Sequence, residues 1–112
     1  MKRIIAIPTQ RKCLCAHFGH CEEFALYETD DGEIRTEKFI EPPPHEPGVL
    51  PAWLASMGVT HVIAGGMGQR AVSLFRESGI EPLVGAPARP PRELVNDFIQ
   101  NRLETGMNAC DH

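Results

Sequence analysis

The chain has 112 residues, 42% of them apolar, with 15 acids, 11 bases and a formal charge of −4. This is the size and make-up of one ordinary folded domain, not of a disordered chain. Without a basic block it is not a binder driven by nucleic-acid phosphates, and no apolar run approaches the ~20 residues of a membrane-crossing helix.

Residues 2–7 read as a short buried strand that Pro8 ends. The apolar run before Pro8 is too short for a secretory signal, so a cytoplasmic location is expected. A loop over residues 9–21 follows. Residues 24–29 form a second strand, Asp30-Asp31-Gly32 a hairpin turn, and residues 34–40 a third strand pairing back. The segment Glu41-Pro42-Pro43-Pro44-His45-Glu46-Pro47-Gly48 is neither helix nor inner strand.

The pattern then changes to alternating helix and strand. Leu50, Trp53, Leu54 and Met57 recur at helical spacing, and Gly58 stops that helix. Residues 59–64 form a buried strand, and Gly65-Gly66-Met67-Gly68 a turn. Residues 69–78 form a helix with Ala71, Leu74 and Phe75 inward and Gly79 as its stop. Residues 80–84 make the last strand. Residues 92–103 make the last helix, with Leu94, Val95, Phe98 and Leu103 on its apolar face. The expected fold is α/β: a three-layer α/β/α arrangement on a five-stranded mixed sheet in the order 3-2-1-4-5, strand 2 antiparallel. Residues 1–103 are expected to be a single domain and residues 104–112 a flexible tail.

Chemistry concentrates in Cys13-Leu14-Cys15-Ala16-His17-Phe18-Gly19-His20-Cys21. The chain has four cysteines; the fourth stands in Cys110-Asp111-His112. Thiolates and neutral imidazoles bind zinc, copper(I) and iron–sulfur centres. Disulfides are rare in the cytosol, which favours metal or redox chemistry for this pattern. Arg11 and Lys12 beside Cys13 and Cys15 favour thiolate. The alternatives are plain. Cys13 and Cys15 would be unrelated surface thiols, and Cys21 a small buried residue opening strand 2. His17 would cap a turn, and His20 would face solvent. His45 is expected in solvent and His61 as a hydrogen-bonded sheet residue. Phe18 and Phe24 are expected to shield the site from water.

Strands 1 and 4 lie side by side and parallel in this topology, so their carboxyl ends meet at one edge, where open α/β sheets bind ligands. The cysteine–histidine loop and the Gly65–Gly68 turn should be neighbours there. The turn feeds a helix N-terminus, whose amides and dipole favour an anion. Arg70 would add charge and Met67 a thioether. Equally, the glycines would serve only a tight turn and close packing. The turn is not GxGxxG, so a dinucleotide site is weakly supported.

The segment from Cys15 to Phe24, the Gly65-Gly66-Met67-Gly68 turn and Leu103-Glu104-Thr105-Gly106 together resemble one family over nearly the whole chain. It is the dinitrogenase iron–molybdenum cofactor biosynthesis family, of the NifX and NifB C-terminal type. The resemblance implies a ribonuclease H-like fold. It also implies binding or transfer of iron–sulfur or molybdenum-containing clusters, not catalysis. His17, Phe18 and Gly19 match the family motif directly; Cys13 and Cys15 are additions to it. Nuclease activity, which the fold name suggests, needs clustered carboxylates, and residues 3–7 contain none.

The expected metal ligands are therefore Cys13, Cys15, His17, His20, Cys21, Cys110 and His112. Gly19, Gly65, Gly66, Met67, Gly68 and Arg70 are expected to contact the cofactor. The expected function is a non-enzymatic cluster carrier or scaffold with donor and acceptor proteins as partners; a homodimer stays open. The alternatives are a zinc-binding interaction module and a thiol redox protein. Cys110 and His112 pose a question of reach. A last helix over residues 92–103 rises about 18 Å, and the chain from Leu103 to Cys110 spans at most ~25 Å. Cys110 then reaches the loop of its own chain only when nearly extended. Delivery to a second copy or a partner is an equal alternative.

Overall fold

The computed structural model describes residues 2–11, 13–14, 22–43 and 49–103. Its central strand is β1 (Arg3–Gln10). Successive side chains alternate between the two faces. Ile5 and Ile7 join one core and Ala6 the other, with Ile4 packed against the latter. β1 folds back on itself as the two-residue β2 (Cys13–Leu14). β3 (Glu23–Asp30) and β4 (Glu33–Ile40) form the hairpin. Asp30 pairs with Glu33, leaving Asp31 and Gly32 as a two-residue loop, both at positive φ (52° and 77°). That is the turn whose twist matches paired strands, and it explains the Asp-Gly.

After the proline-rich segment come α1 (Val49–Ser56), β5 (His61–Ile63), α2 (Gln69–Glu77), β6 (Glu81–Leu83) and α3 (Pro91–Ile99). The sheet runs β4-β3-β1-β5-β6, with β2 on β1. β3 and β4 are antiparallel to their neighbours, while β1, β5 and β6 are mutually parallel. α1 and α2 cover one face through Leu50, Leu54, Val72 and Phe75. α3 covers the other through Leu94 and Val95. The arrangement is thus a mixed sheet between two helical layers.

Three expectations are corrected. Pro8 does not end the first strand, which continues to Gln10. The Ile4 amide and carbonyl both address Thr60 on the β5 side. Pro8, four residues on, turns its missing N–H the same way, beyond Ala6, the last β1 residue paired with β5. No ladder bond is lost there, so proline is tolerated. Second, Cys13 and Leu14 are strand, not loop. Third, the last helix stops at Ile99 rather than at residue 103. Asn101 adopts φ 59°, and the amides of Asn101 and Arg102 turn back onto the carbonyls of Phe98 and Asp97. This paired closure about a left-handed residue ends a helix and reverses the chain.

Candidate functional site

The site is set by where β1 and β5 end. Ile5 stands opposite His61 and Ala6 opposite Val62 in parallel, so both carboxyl ends reach the same sheet edge. β1 overruns β5 there. Arg11, at φ 55°, turns the chain, and Cys13 and Leu14 pair back to Gln10 and Thr9. Leu14 is buried in the α3-side core. Its amide donates to the Arg89 carbonyl at 3.1 Å. Cys13 is half-buried, with its thiol outside any disulfide.

The return of the chain is pinned at the same place. The Glu22 amide donates to the Thr9 carbonyl at 2.8 Å. The Glu22 carboxylate accepts the Arg11 amide at 2.9 Å, and the Thr9 hydroxyl donates to the Glu23 carbonyl at 3.0 Å. Cys15, His17, Phe18, Gly19, His20 and Cys21 lie outside the described residues, as do His45, Cys110 and His112. Leu14 and Glu22, which bracket the loop set, both stand at the carboxyl end of β1. Among the described residues no three His, Cys, Asp or Glu side chains gather to hold a metal ion.

The glycine turn occupies this edge as well. The Ala64 amide donates to Leu83 at 2.8 Å, Ala86 to Ala64 at 3.2 Å, and Gly85 to Gly65 at 3.1 Å. The turn after β5 is thereby tied to the loop after β6. That loop is tied through Arg89 to β2. Arg89 was invisible as a site element in the sequence, because its contribution is a backbone carbonyl.

Gly68 is the N-cap of α2, in extended conformation (φ −65°, ψ 155°), with no side-chain cap. A Cβ built there meets nothing within 4 Å. Neither strain nor crowding demands glycine, so the open backbone at the helix start is its distinguishing property. Gly68→Ser is expected to fold normally and to match or slightly raise stability, by a few tenths of a kcal/mol, because serine caps better than glycine. Thermal unfolding of the two proteins checks this; a marked loss of stability would contradict it. Arg70 is exposed in the first turn of α2, beside this opening, and Gly66 is buried behind it. Met67 is placed differently from the expectation: it is completely buried in the core under α1 and α2, where its thioether packs. Phe24 is likewise a core residue rather than a water shield, fully buried with its ring edge-on to Trp53 at 5.8 Å.

His61 lies at the opposite edge, as a sheet residue. Its Nδ1 is 2.8 Å from the Thr60 hydroxyl, and its ring lies 5.1 Å from Phe98, over which Arg3 sits at 5.4 Å. Burial first, and the Arg3 charge second, hold its pKa below the ordinary 6.5, against the opposing pull of Glu81. The unfolded chain therefore binds this proton at higher pH than the folded one. The contribution is fully present above ~6.5 and is lost as pH falls from there toward the folded pKa. The urea midpoint should drop between about pH 7.5 and 5.5, and less so in His61→Gln. Equal drops in both proteins would contradict the assignment.

Comparison with known proteins gives the family and shows the same fold elsewhere. The family model described as dinitrogenase iron-molybdenum cofactor matches residues 1–101. An uncharacterized protein of Methanocaldococcus jannaschii, MJ0580, is 34% identical over 105 residues, covering 89% of this chain and 88% of its own. The crystal structure of PH0822 superposes with a TM-score of 0.83 at 26% identity, over 92% of this chain and 96% of that one. The apo form of the orange protein from Desulfovibrio gigas shares the fold, with a TM-score of 0.73 at 17% identity over 95% and 94% of the two chains.

Proposed function

The chain belongs to the dinitrogenase iron–molybdenum cofactor family, and from that premise we propose that it binds and carries a metal–sulfur cluster, iron–sulfur or molybdenum-containing, as cargo. It acts as a carrier or scaffold, not as an enzyme. Cys13, Cys15 and Cys21 supply thiolates, and His17 and His20 supply imidazoles. Gly68 leaves backbone open to the cargo, with Gly65 half-buried beside it and Gly66 buried as support for the turn; Gly19 is the contact that the loop itself would offer. The α2 N-terminus and Arg70 offset its negative charge.

One observation carries this reading. Hydrogen bonds from Leu14 to Arg89 and from Gly85 to Gly65 connect the strand bearing Cys13 to the glycine turn. Covalent length does the rest. His17 stands three residues from Leu14, at most ~11 Å of chain, and Cys21 adjoins the pinned Glu22. Three loop thiolates leave a position unfilled on a cluster that prefers four, which suits release to an acceptor.

Donor and acceptor proteins are the partners in this proposal, and the cytoplasm is the setting. No helix among the described residues is long and apolar enough to cross a membrane. The strand order and helix layers fit the ribonuclease H-like class, with residues 1–103 as the binding body.

The test is purification without oxygen, followed by visible absorption and analysis of iron, sulfide, molybdenum, copper and zinc. A coloured protein holding sulfide and metal is expected. A protein colourless even after reconstitution would overturn the proposal. Stoichiometric zinc without sulfide would establish the zinc module instead. A reductase activity lost in Cys13→Ser would establish the redox protein.

A further inference from the structure

The helical layer of α1 and α2 does not extend over the whole sheet. α1 ends at Ser56, Gly58 turns the chain at φ 80°, and the next residues lead into β5. Beyond that end, beside the start of β1, the same sheet face carries a cavity of about 280 Å³. It lies at the edge opposite Cys13.

Strand register explains the lining. Ile4 pairs with Glu28 across β1 and β3, Glu28 with Thr36 across β3 and β4, and Leu26 with Lys38. Paired residues, and residues two apart on a strand, share a face. Ile4 and Leu26 face the core under α1, so Glu28, Thr36 and Lys38 face the same way, where α1 has run out. Met57, just past the helix, packs against that core and closes one side. The floor is therefore apolar and the rim charged.

The rim charges do not cancel. Lys2 and Glu28 form an ion pair at 3.1 Å. Lys38 is exposed and has no ion pair among the described residues. Two ammonium groups and one carboxylate leave the lining one positive charge in excess. The end of α1 does not offset it. The carbonyls of Leu54 and Ala55 already accept the amides of Met57 and Gly58, and the Trp53 carbonyl accepts the Ser56 hydroxyl. A ligand that satisfies rim and floor together carries one negative group and a short apolar tail. An inorganic anion would leave the floor uncovered, and a plain hydrocarbon would leave Lys38 unanswered.

We infer that the cavity over Ile4, Leu26 and Met57 binds a short aliphatic monocarboxylate, its carboxylate at Lys38 and Thr36 and its alkyl tail on the apolar floor. The Lys38 ammonium donates a charge-assisted hydrogen bond and the Thr36 hydroxyl a second one. The site is separate from the cargo reading and does not depend on it.

Hexanoate is the probe, titrated into the full chain and followed by NMR of the methyl groups. The signals of Ile4, Leu26 and Met57 are expected to shift together and saturate, with a dissociation constant of about 1 mM. Lys38→Gln, at an exposed position, removes the excess charge and should weaken binding about three- to fivefold. Glu28→Gln frees Lys2 from its ion pair and should tighten binding by a similar factor. Acetate, without the tail, should bind more than about tenfold more weakly, and hexanol, without the charge, several-fold more weakly. Melting temperatures of both variants without ligand check that they are folded. Shifts that do not saturate, or that fall mainly on other methyl groups, would overturn the inference. So would equal affinities in the two variants. Hexanol binding as well as hexanoate would reduce the cavity to an apolar hollow, and acetate binding as well would reduce it to a counter-ion position; either result rejects the proposed ligand class.

Discussion

Cluster-loaded protein carrying Cys15→Ser and His17→Ala together is expected to lose its metal and sulfide on anaerobic gel filtration, while its melting temperature without cargo stays within about 2 °C of the wild type. A serine hydroxyl does not ionise near neutral pH and cannot replace a thiolate. An alanine offers no donor at all. Removing even an outer partner of a ligand costs roughly 10–100-fold in metal affinity, so losing two inner donors should exceed 100-fold. The fold should persist because the bonds that fasten the loop ends are elsewhere. They are the Leu14 amide on Arg89, the Glu22 amide on Thr9 and the Arg11 amide on the Glu22 carboxylate. Elemental analysis after filtration decides the matter. Retention at the wild-type metal and sulfide ratio would remove these two residues from the site and leave the proposal without its principal donors.

That the two ends of the loop, Leu14 and Glu22, stand at the carboxyl end of β1 was legible in the sequence because it depends on periodicity and topology. Ile5 and Ile7 alternate with Ala6, the Asp-Gly turn fixes the hairpin, and right-handed crossovers put β5 beside β1. What was not legible depends on contacts between distant residues. Proline normally ends a strand, and only the early end of the β5 ladder makes Pro8 harmless. A two-residue strand has no pattern of its own; β2 exists because Leu14 is captured by Arg89 across the chain. Asn101 ends α3 without the glycine or proline that would announce it, through a left-handed conformation that asparagine tolerates. Met67 looks like a soft donor in its Gly-Gly-Met-Gly setting. Its fate depends on which way the turn faces, and it faces the core.

Phe24 presents the same ambiguity, and here the two roles predict different measurements. A water shield would affect cargo lifetime and leave folding alone. A core residue should do the reverse, and Phe24→Ala is expected to cost about 3–5 kcal/mol of folding stability. The side chain is completely buried among Ala6, Leu26, Leu50 and Leu54. Its edge-on contact with Trp53 adds roughly 0.5–1.5 kcal/mol to the burial itself. β3 is held between β1 and β4 and has little freedom to collapse into the space. A domain of this size has only ~5–15 kcal/mol in all, so the melting temperature should fall by more than about 10 °C. Trp53, the single tryptophan, reports the unfolding by fluorescence. Phe24→Leu, which keeps most of the volume, should lose distinctly less. If alanine costs under about 1 kcal/mol, the core assignment is wrong. The consequence for the site is indirect but calculable. Phe24 sits opposite Pro8 in the β1–β3 register, one residue from the Glu23 carbonyl that accepts the Thr9 hydroxyl. A cavity there weakens the clamp on the loop base. Cargo release from Phe24→Ala should therefore track the unfolding curve with urea, whereas release from the loop variant occurs in protein that is still folded.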